Sequence, residues 1–246
     1  MLMFNATIVD TKNWRTSIDA IAALIDEGTF KIDEKGMRLT AMDPSQIALI
    51  DFELPASAFE DYSVEKTLDM GVDFTELAKI TKRLRPEDKL HLQLDKRLKM
   101  TFEGDTKRTF TLSIIDAQST SPKQPQIEFT SEVKLAPAMI KEALKDAELV
   151  SNHVALSCDD KNFNVASDGD TGSVDISLPD EKLLSLECDE DCRSVYSLEH
   201  LEHILKSAES PSIVTLKMRT DAPIKIEYKI GDAQVTYYLA PRIESS

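Results

Sequence analysis

Three small constellations in this chain contain residue types that could do chemistry. Cys188 and Cys192 bracket Asp189-Glu190-Asp191, and two thiols with carboxylates between them could hold a metal ion. Zinc sites set a second cysteine pair or closely spaced histidines beside the first. No second cysteine pair follows, and the expectation is two thiols beside an acidic turn. Glu199-His200 and Glu202-His203 place two histidines three residues apart on a helix, a spacing that can chelate zinc. The zincin pattern needs a spacing of four with a glutamate between, so these read as exposed helix histidines. Asp168-Gly169-Asp170-Thr171-Gly172 is rich in carboxylates. A calcium loop needs a third ligand before its glycine and a distal glutamate, and without them the segment reads as a turn between strands.

The seven glycines include no G-x-G-x-x-G or Walker arrangement, which argues against a nucleotide cofactor. No G-x-S-x-G elbow is present either. The sequence therefore predicts no catalytic residue, no metal and no cofactor. An enzyme reading would have to rest on His200 with His203, or on Asp168 with Asp170.

What positions these residues is a duplicated frame. Asp33-Glu34-Lys35-Gly36-Met37-Arg38-Leu39 returns 126 residues later as Asp159-Asp160-Lys161-Asn162-Phe163-Asn164-Val165. Leu77, Ile80, Lys82, Leu90, Leu92 and Leu94 return 124 residues later as Leu201, Ile204, Lys206, Val214, Leu216 and Met218. Two offsets this close mark a repeated unit of about half the chain, near a common domain size. The expected domains are residues 1–116 and 129–246. Residues 117–128 form a connector between them, polar and with prolines at 122 and 125.

Each half is expected to run strand, helix, strands, helix, strands. In the first half Met3–Asp10 is a strand, and Thr11 or Asn13 caps a helix over Trp14–Ile25. Strands follow at Thr29–Ile32, Met37–Met42 and Ile47–Glu53. Asp73 caps a second helix reaching Arg83, before strands at Leu90–Leu94, Arg97–Glu103 and Arg108–Ile115. In the second half Phe129–Leu135 precedes a helix that Pro137 opens and that reaches Val150. Strands His153–Cys158, Phe163–Ser167 and Ser173–Leu178 come next, then a helix from the Ser197 cap to Ser207. Ile213–Met218, Ile224–Ile230 and Ala233–Leu239 close the chain. Helices on one face of antiparallel sheets make this an α+β protein.

Of the 246 residues 41% are hydrophobic, enough for a core in each half, and no apolar run approaches the roughly 18 residues of a membrane span. The opening Met1-Leu2-Met3-Phe4-Asn5 lacks the basic and apolar regions of a secretory signal. Three cysteines, an odd and sparse count, suggest reduced thiols in an intracellular protein. The net charge of −15 argues against nucleic acid at first sight, because phosphate binding rests on Lys and Arg. The bases, however, are sorted. Lys12 and Arg15 fall on the first helix, Lys79, Lys82 and Arg83 on the second, Lys141 and Lys145 on the third, and Lys206 on the fourth. Acids gather at Asp51–Asp61, Asp159-Asp160, Asp180-Glu181 and Glu187–Asp191, all expected on loops and turns.

The ending Tyr237-Tyr238-Leu239-Ala240-Pro241-Arg242-Ile243-Glu244 is similar to the Y-Y-L-A-P-K-I-E ending of the sliding clamps of archaea and eukaryotes, the proliferating cell nuclear antigen family. Asp221-Ala222-Pro223-Ile224-Lys225-Ile226-Glu227-Tyr228-Lys229-Ile230 resembles that family's D-x-P-x-x-x-E-Y-x-I segment. Met70-Gly71-Val72-Asp73-Phe74 and Met42-Asp43-Pro44-Ser45 resemble its M-G-V-N-L and M-D-S-S stretches. The pieces follow in consecutive order over essentially the whole chain, and the likeness is greatest to an archaeal member.

The resemblance implies a duplicated clamp fold and a homotrimeric ring of six similar domains, with helices lining a pore around double-stranded DNA and sheets outside. Strand Lys107–Ile115 of one subunit would lie beside Thr171–Leu178 of the next. Lys12, Arg15, Lys79, Lys82, Arg83, Lys141, Lys145 and Lys206 would meet phosphates in the pore. A pocket for short peptide motifs carries over to Met42, Gln46, Ile47, Leu49, Phe129, Pro223, Tyr238, Ala240 and Pro241, which would dock DNA polymerase, clamp loader, flap nuclease and ligase. The connector offers Pro122, Pro125 and Ile127 where other members place large aliphatics. The implied role is a polymerase processivity factor and docking platform, cytoplasmic in an archaeal-type cell and nuclear in a eukaryote. The alternative is one subunit of a heterotrimeric checkpoint-type clamp.

Overall fold

The computed structural model describes residues 3–116, 121–170 and 172–242. The connector positions 117–120, Thr171 of the expected edge strand, and Ile243 and Glu244 of the C-terminal motif lie outside the described residues.

The first half runs β1 (Phe4–Ile8), α1 (Thr11–Ala22), β2 (Glu27–Asp33), β3 (Gly36–Met42), β4 (Ala48–Pro55), β5 (Asp61–Val64), β6 (Leu68–Asp73), α2 (Phe74–Thr81), β7 (Lys89–Leu94), β8 (Arg97–Glu103) and β9 (Lys107–Ser113). The second runs β10 (Ser131–Leu135), α3 (Pro137–Glu148), β11 (His153–Cys158), β12 (Asn162–Gly169), β13 (Gly172–Pro179), β14 (Ser185–Cys188), β15 (Cys192–Ser197), α4 (Leu198–Leu205), β16 (Val214–Met218), β17 (Ile224–Ile230) and β18 (Ala233–Leu239).

The duplication is visible in the strand orders. The run β5-β1-β7-β8-β9 recurs as β14-β10-β16-β17-β18, every strand number raised by nine. In the same way β4-β3-β2-β6 recurs as β13-β12-β11-β15, and α1 and α2 recur as α3 and α4. The ladders are antiparallel, as in β1 on β7 and its counterpart β10 on β16. The fold is α+β and built from two copies of one plan. Contacts group Ile50–Lys123 and the residues up to Pro44 into one compact unit, and Gln124–Lys229 into another. Short segments cross over: Ser45–Leu49 groups with the second unit and Ile230–Val235 with the first.

α1, α2 and α4 start where the sequence supplies a side-chain acceptor for an orphaned N–H group. Asp73 accepts from the Glu76 amide at 2.9 Å, and Ser197 accepts from the His200 amide at 3.4 Å. Pro137 sits at the first turn of α3, where its missing N–H leaves nothing unpaired. The first helix departs from expectation. Asp10 is its cap, accepting from the Asn13 amide at 3.1 Å, so the helix begins at Thr11 and ends at Ala22. A carboxylate one residue earlier outcompetes the Thr11 hydroxyl and the Asn13 amide group as cap.

The apolar stripes of the helices meet the sheets. Phe30 on β2 contacts Phe52 on β4 and Phe74 on α2 edge-on, with ring centroids 6.2 and 5.4 Å apart. In the second half Tyr228 stacks on Tyr237 at 5.9 Å and donates its hydroxyl to the Ile204 carbonyl of α4 at 2.6 Å. Burial holds both phenols well above the ordinary tyrosine range, so they stay protonated hydrogen-bonders at any working pH.

Four strands were not legible in the sequence: β5, β6, β14 and β15. The first and third are four residues each, too short for alternation to declare itself, and both carry acids that suggested loops. The acids are therefore not confined to turns. Asp51 and Glu53 lie on β4, Asp61 on β5 and Glu187 on β14. The expected strand to Ile115 stops at Ser113, because the Ile115 amide turns away to the Gly71 carbonyl at 3.1 Å. That approach is why position 71 is glycine: a Cβ there would lie 2.4 Å from the Ile115 carbonyl oxygen. Among the described residues, no helix is long and apolar enough to cross a membrane.

Candidate nucleic-acid interface and peptide pocket

α1 buries Trp14, Ser17, Ile18 and Ile21 and leaves Lys12 and Arg15 exposed. α2 packs on α1, burying Phe74, Leu77, Ala78 and Thr81 and leaving Lys79 exposed. Lys82 closes α2 as its C-cap, and Arg83 follows, both exposed. Cations at this end face the negative pole of the helix dipole. The second unit repeats the arrangement, with α3 packed on α4, Lys145 exposed, Lys141 half-buried and Lys206 exposed as the α4 C-cap. The Lys141 ammonium donates to the Lys206 carbonyl at 2.9 Å, filling one of the acceptors that a helix end leaves open. Burial holds Lys141 below the ordinary lysine range, with Glu209 opposing the shift.

The eight cations differ in how they are held. Lys79 pairs with Glu76 at 2.7 Å and Lys145 with Glu142 at 2.6 Å, and each hydrogen bond raises its lysine's pKa. Arg15 lies 3.8 Å from Asp19. Exposed pairs of this kind are worth at most about 1 kcal/mol, so an incoming phosphate can replace the carboxylate. Lys12, Lys82, Arg83 and Lys206 have no ion-pair partner among the described residues.

The residues expected to form a peptide pocket belong to the second unit, apart from Met42. Gln46 takes a left-handed φ of 61°, which turns the chain so that Ile47 stands 37% exposed. The Ala240 amide donates to the Ile47 carbonyl at 2.8 Å and pins the C-terminal segment beside it. Leu49 and Tyr238 are buried, while Phe129, Pro223, Ala240 and Pro241 are half-buried. Buried Leu49 and Tyr238 can form only a floor, and exposed Ile47 a rim. Met42, in the first unit, is 39% exposed.

Two contributors were missed in the sequence. Gln124 of the connector places its side-chain oxygen 3.3 Å from the Tyr238 hydroxyl, and the Lys225 ammonium lies 5.9 Å from the Tyr238 ring centre. The signal for Lys225 was its two-residue spacing from Pro223 at the head of β17, which puts both on one face. Gln124 carried no signal, because a polar connector residue has no periodicity.

The three chemistry-bearing constellations take structural places. His200 sits on the Ser197 cap, its Nδ1 3.0 Å from that hydroxyl, and His203 is exposed on α4. Gly169 stands opposite Gly172, so Asp170 lies in the turn joining β12 to β13. Cys192 packs its sulfur 2.9 Å from the Ser131 hydroxyl, and burial pushes its thiol up, as it does those of Cys158 and Cys188. Among the described residues no group of three or more His, Cys, Asp or Glu is arranged to hold a metal ion.

The family model for the N-terminal domain of proliferating cell nuclear antigen matches residues 3–119, and the model for its C-terminal domain matches residues 123–243. The chain belongs to the proliferating cell nuclear antigen (PCNA) family. The DNA polymerase sliding clamp of Thermococcus gammatolerans is 38% identical over 246 residues, covering 98% of this chain and 99% of that protein. That of Methanococcus maripaludis is 36% identical over 252 residues, covering 99% and 100%. Among solved structures, PCNA from Thermococcus kodakaraensis matches with a TM-score of 0.93 at 27% identity, covering 97% of this chain and 100% of that one. A. fulgidus PCNA, solved with the C-terminal region of FEN-1 bound, matches with a TM-score of 0.91 at 27% identity, covering 99% and 100%. The two strand orders that repeat in this chain are thus the two halves of the PCNA fold.

Proposed function

We propose that this chain is a DNA sliding clamp, three copies of which close into a ring around duplex DNA, hold polymerase on its template and dock other replication and repair proteins. The observation that carries the reading is the pairing of cations across the duplication: Arg15 recurs as Lys141 and Lys82 as Lys206, on helices that present them away from each core. Such contacts meet phosphates and not base edges, so binding is independent of sequence and weakened by salt. Closure does the holding, and weak contacts permit sliding.

Ring closure is assigned to β9 and β13, each of which ends a sheet with a single neighbouring strand. β9 of one subunit beside β13 of the next would be a heterologous contact that closes after three copies and covers two exposed edges. β9 turns Arg108, Phe110 and Leu112 to its half-buried side, and β13 turns Val174, Ile176 and Leu178. The pocket around Ile47 and Tyr238 suits a short helical turn with aromatic anchors, as polymerase, clamp loader, flap nuclease and ligase would carry. The chain is proposed to have no catalysis of its own, to need a separate ATP-driven loader, and to work in the cytoplasm. The full-length match to proteins named sliding clamps favours a self-closing ring over a checkpoint-type subunit. Light scattering over a dilution series tests the ring: a mass three times the 27.5 kDa chain supports it, and a strict monomer opposes it.

A further inference from the structure

The register of the β13-β12-β11-β15 sheet lines up Asp175, Ala166, Ala155 and Val195, each directly opposite the next. Arg242 extends the row, its amide donating to the Val195 carbonyl at 2.7 Å. Residues directly opposite share a face, so a floor of small side chains has a carboxylate at one end and a guanidinium at the other. Asp168 and His153 lie two residues along β12 and β11, hence on that face too. Long side chains around short ones leave a cleft of about 660 Å³, lined also by Ser173 and Arg193.

Of the cleft's charged groups, Arg193 is already engaged and, among the described residues, the carboxylates are not. Asp168 and Asp175 have no cationic partner among the described residues. Arg242 rests its Nη1 2.9 Å from both ring nitrogens of His153. Burial, then the Arg242 charge, pushes the His153 pKa down, so at neutral pH the ring is uncharged and leaves the guanidinium's charge intact. The cleft also continues the pocket. The amides of Ala240 and Arg242 bond outward to Ile47 and Val195, the two-residue period of extended chain, which puts Arg242 about 7 Å beyond Ala240.

We propose that this cleft binds the charged flank of a partner peptide whose anchors occupy the pocket, with an acidic side chain on Arg242 and a basic one on Asp168 and Asp175. The inference rests on the pocket assignment above. Three to four strand spacings separate the two ends, about 14–19 Å, which four extended residues with their side chains can span. The order of the charges, acidic nearest the pocket and basic outermost, is what the cleft reads. The acidic chain as a whole would favour any basic flank regardless of order.

The test uses fluorescence anisotropy on the full chain with a synthetic peptide of the FEN-1 C-terminal region, unflanked or extended at either end by five residues. One flank places Glu next to the peptide and Lys outermost, with Gly-Ser-Gly between; the other reverses Glu and Lys. Both have the same composition and net charge. The expected result is that, at one end, the inner-Glu flank binds about tenfold tighter than its reverse, and that Arg242→Glu inverts the preference. Equal affinities at both ends, or a preference that survives Arg242→Glu, overturn the cleft assignment while leaving the pocket standing. An unflanked peptide that fails to bind overturns the pocket and the cleft together.

Discussion

Lys141 reaches from α3 to the carbonyl of Lys206 at the end of α4, 2.9 Å away, so one cation of the second unit caps the helix that carries another. The contact makes the cationic surface part of the helix packing. It also explains why Lys141 is half-buried while the Lys206 side chain is exposed. The repeat puts Arg15 in the place of Lys141, and there the partner is Asp19 on the same helix. The two copies therefore hold equivalent charges by different means.

Lys82→Ala with Lys206→Ala is expected to reduce clamp-dependent polymerase stimulation on long primed templates several-fold, because neither lysine has an acid among the described residues to release before meeting a phosphate. Lys79→Ala with Lys145→Ala has a smaller effect, since Glu76 and Glu142 already engage those ammonium groups. Changing Lys79, Lys82, Lys141 and Lys145 together weakens stimulation and lessens its salt dependence without breaking the trimer. Stimulation unchanged at any salt concentration contradicts the assignment.

Ile47→Asp is expected to lower peptide affinity at least tenfold with little change in Tm, because Ile47 is a rim residue with a charged substituent facing solvent or ligand. Removing residues 239–246 abolishes binding too, but is a blunter test. Leu239 is fully buried and the Ala240 amide ties the segment to Ile47, so stability falls with it. Calorimetry with the FEN-1 peptide separates the two variants.

Glu132 accepts from Lys134 at 2.7 Å and from Lys217 at 2.8 Å, and these bonds hold its carboxyl below the ordinary 4.5. The unfolded chain therefore takes up this proton first as pH falls. The stabilisation is complete above pH 4.5 and disappears as the pH drops through the lower folded value. Glu132→Gln is expected to cost roughly 1 kcal/mol at pH 7 and progressively less in acid. Tm curves of the two proteins that converge below pH 4.5 support this; a constant gap contradicts it.

Asp88 is 3% exposed, accepts from the Arg85 amide at 2.7 Å and receives the Arg108 guanidinium. Arg108 also donates to the Arg83 carbonyl at 2.9 Å, so this buried pair ties β9 to the end of α2. Asp88→Ala leaves the guanidinium without its anion and is expected to cost about 3 kcal/mol in urea unfolding. Because β9 is the proposed subunit edge, the variant's trimer is also expected to dissociate at higher concentration.

Much of this fold was legible because the repeat and the caps are local signals. Asp73, Pro137 and Ser197 announce three helices, and β8, β11, β17 and β18 were expected with their observed limits. Short β5 and β14 were not legible, since four residues beside a longer neighbour owe their pairing to tertiary context. The cations of the candidate site could be read from helical spacing, and their ion pairs at three residues' distance follow from it. The Lys141–Lys206 contact could not be read, because it joins residues 65 positions apart. Nor could the cleft beside Arg242, which exists only once three strand registers bring alanines into one row.

The central claim is topological, and retention on DNA tests it most directly. The protein is placed by a clamp loader on nicked circular duplex, washed through gel filtration at high salt, and compared with the same DNA cut once. A closed sliding ring co-elutes with the circle and is lost from the linear form, because salt removes the phosphate contacts and only closure remains. Equal retention on both forms, or release from both, contradicts the account.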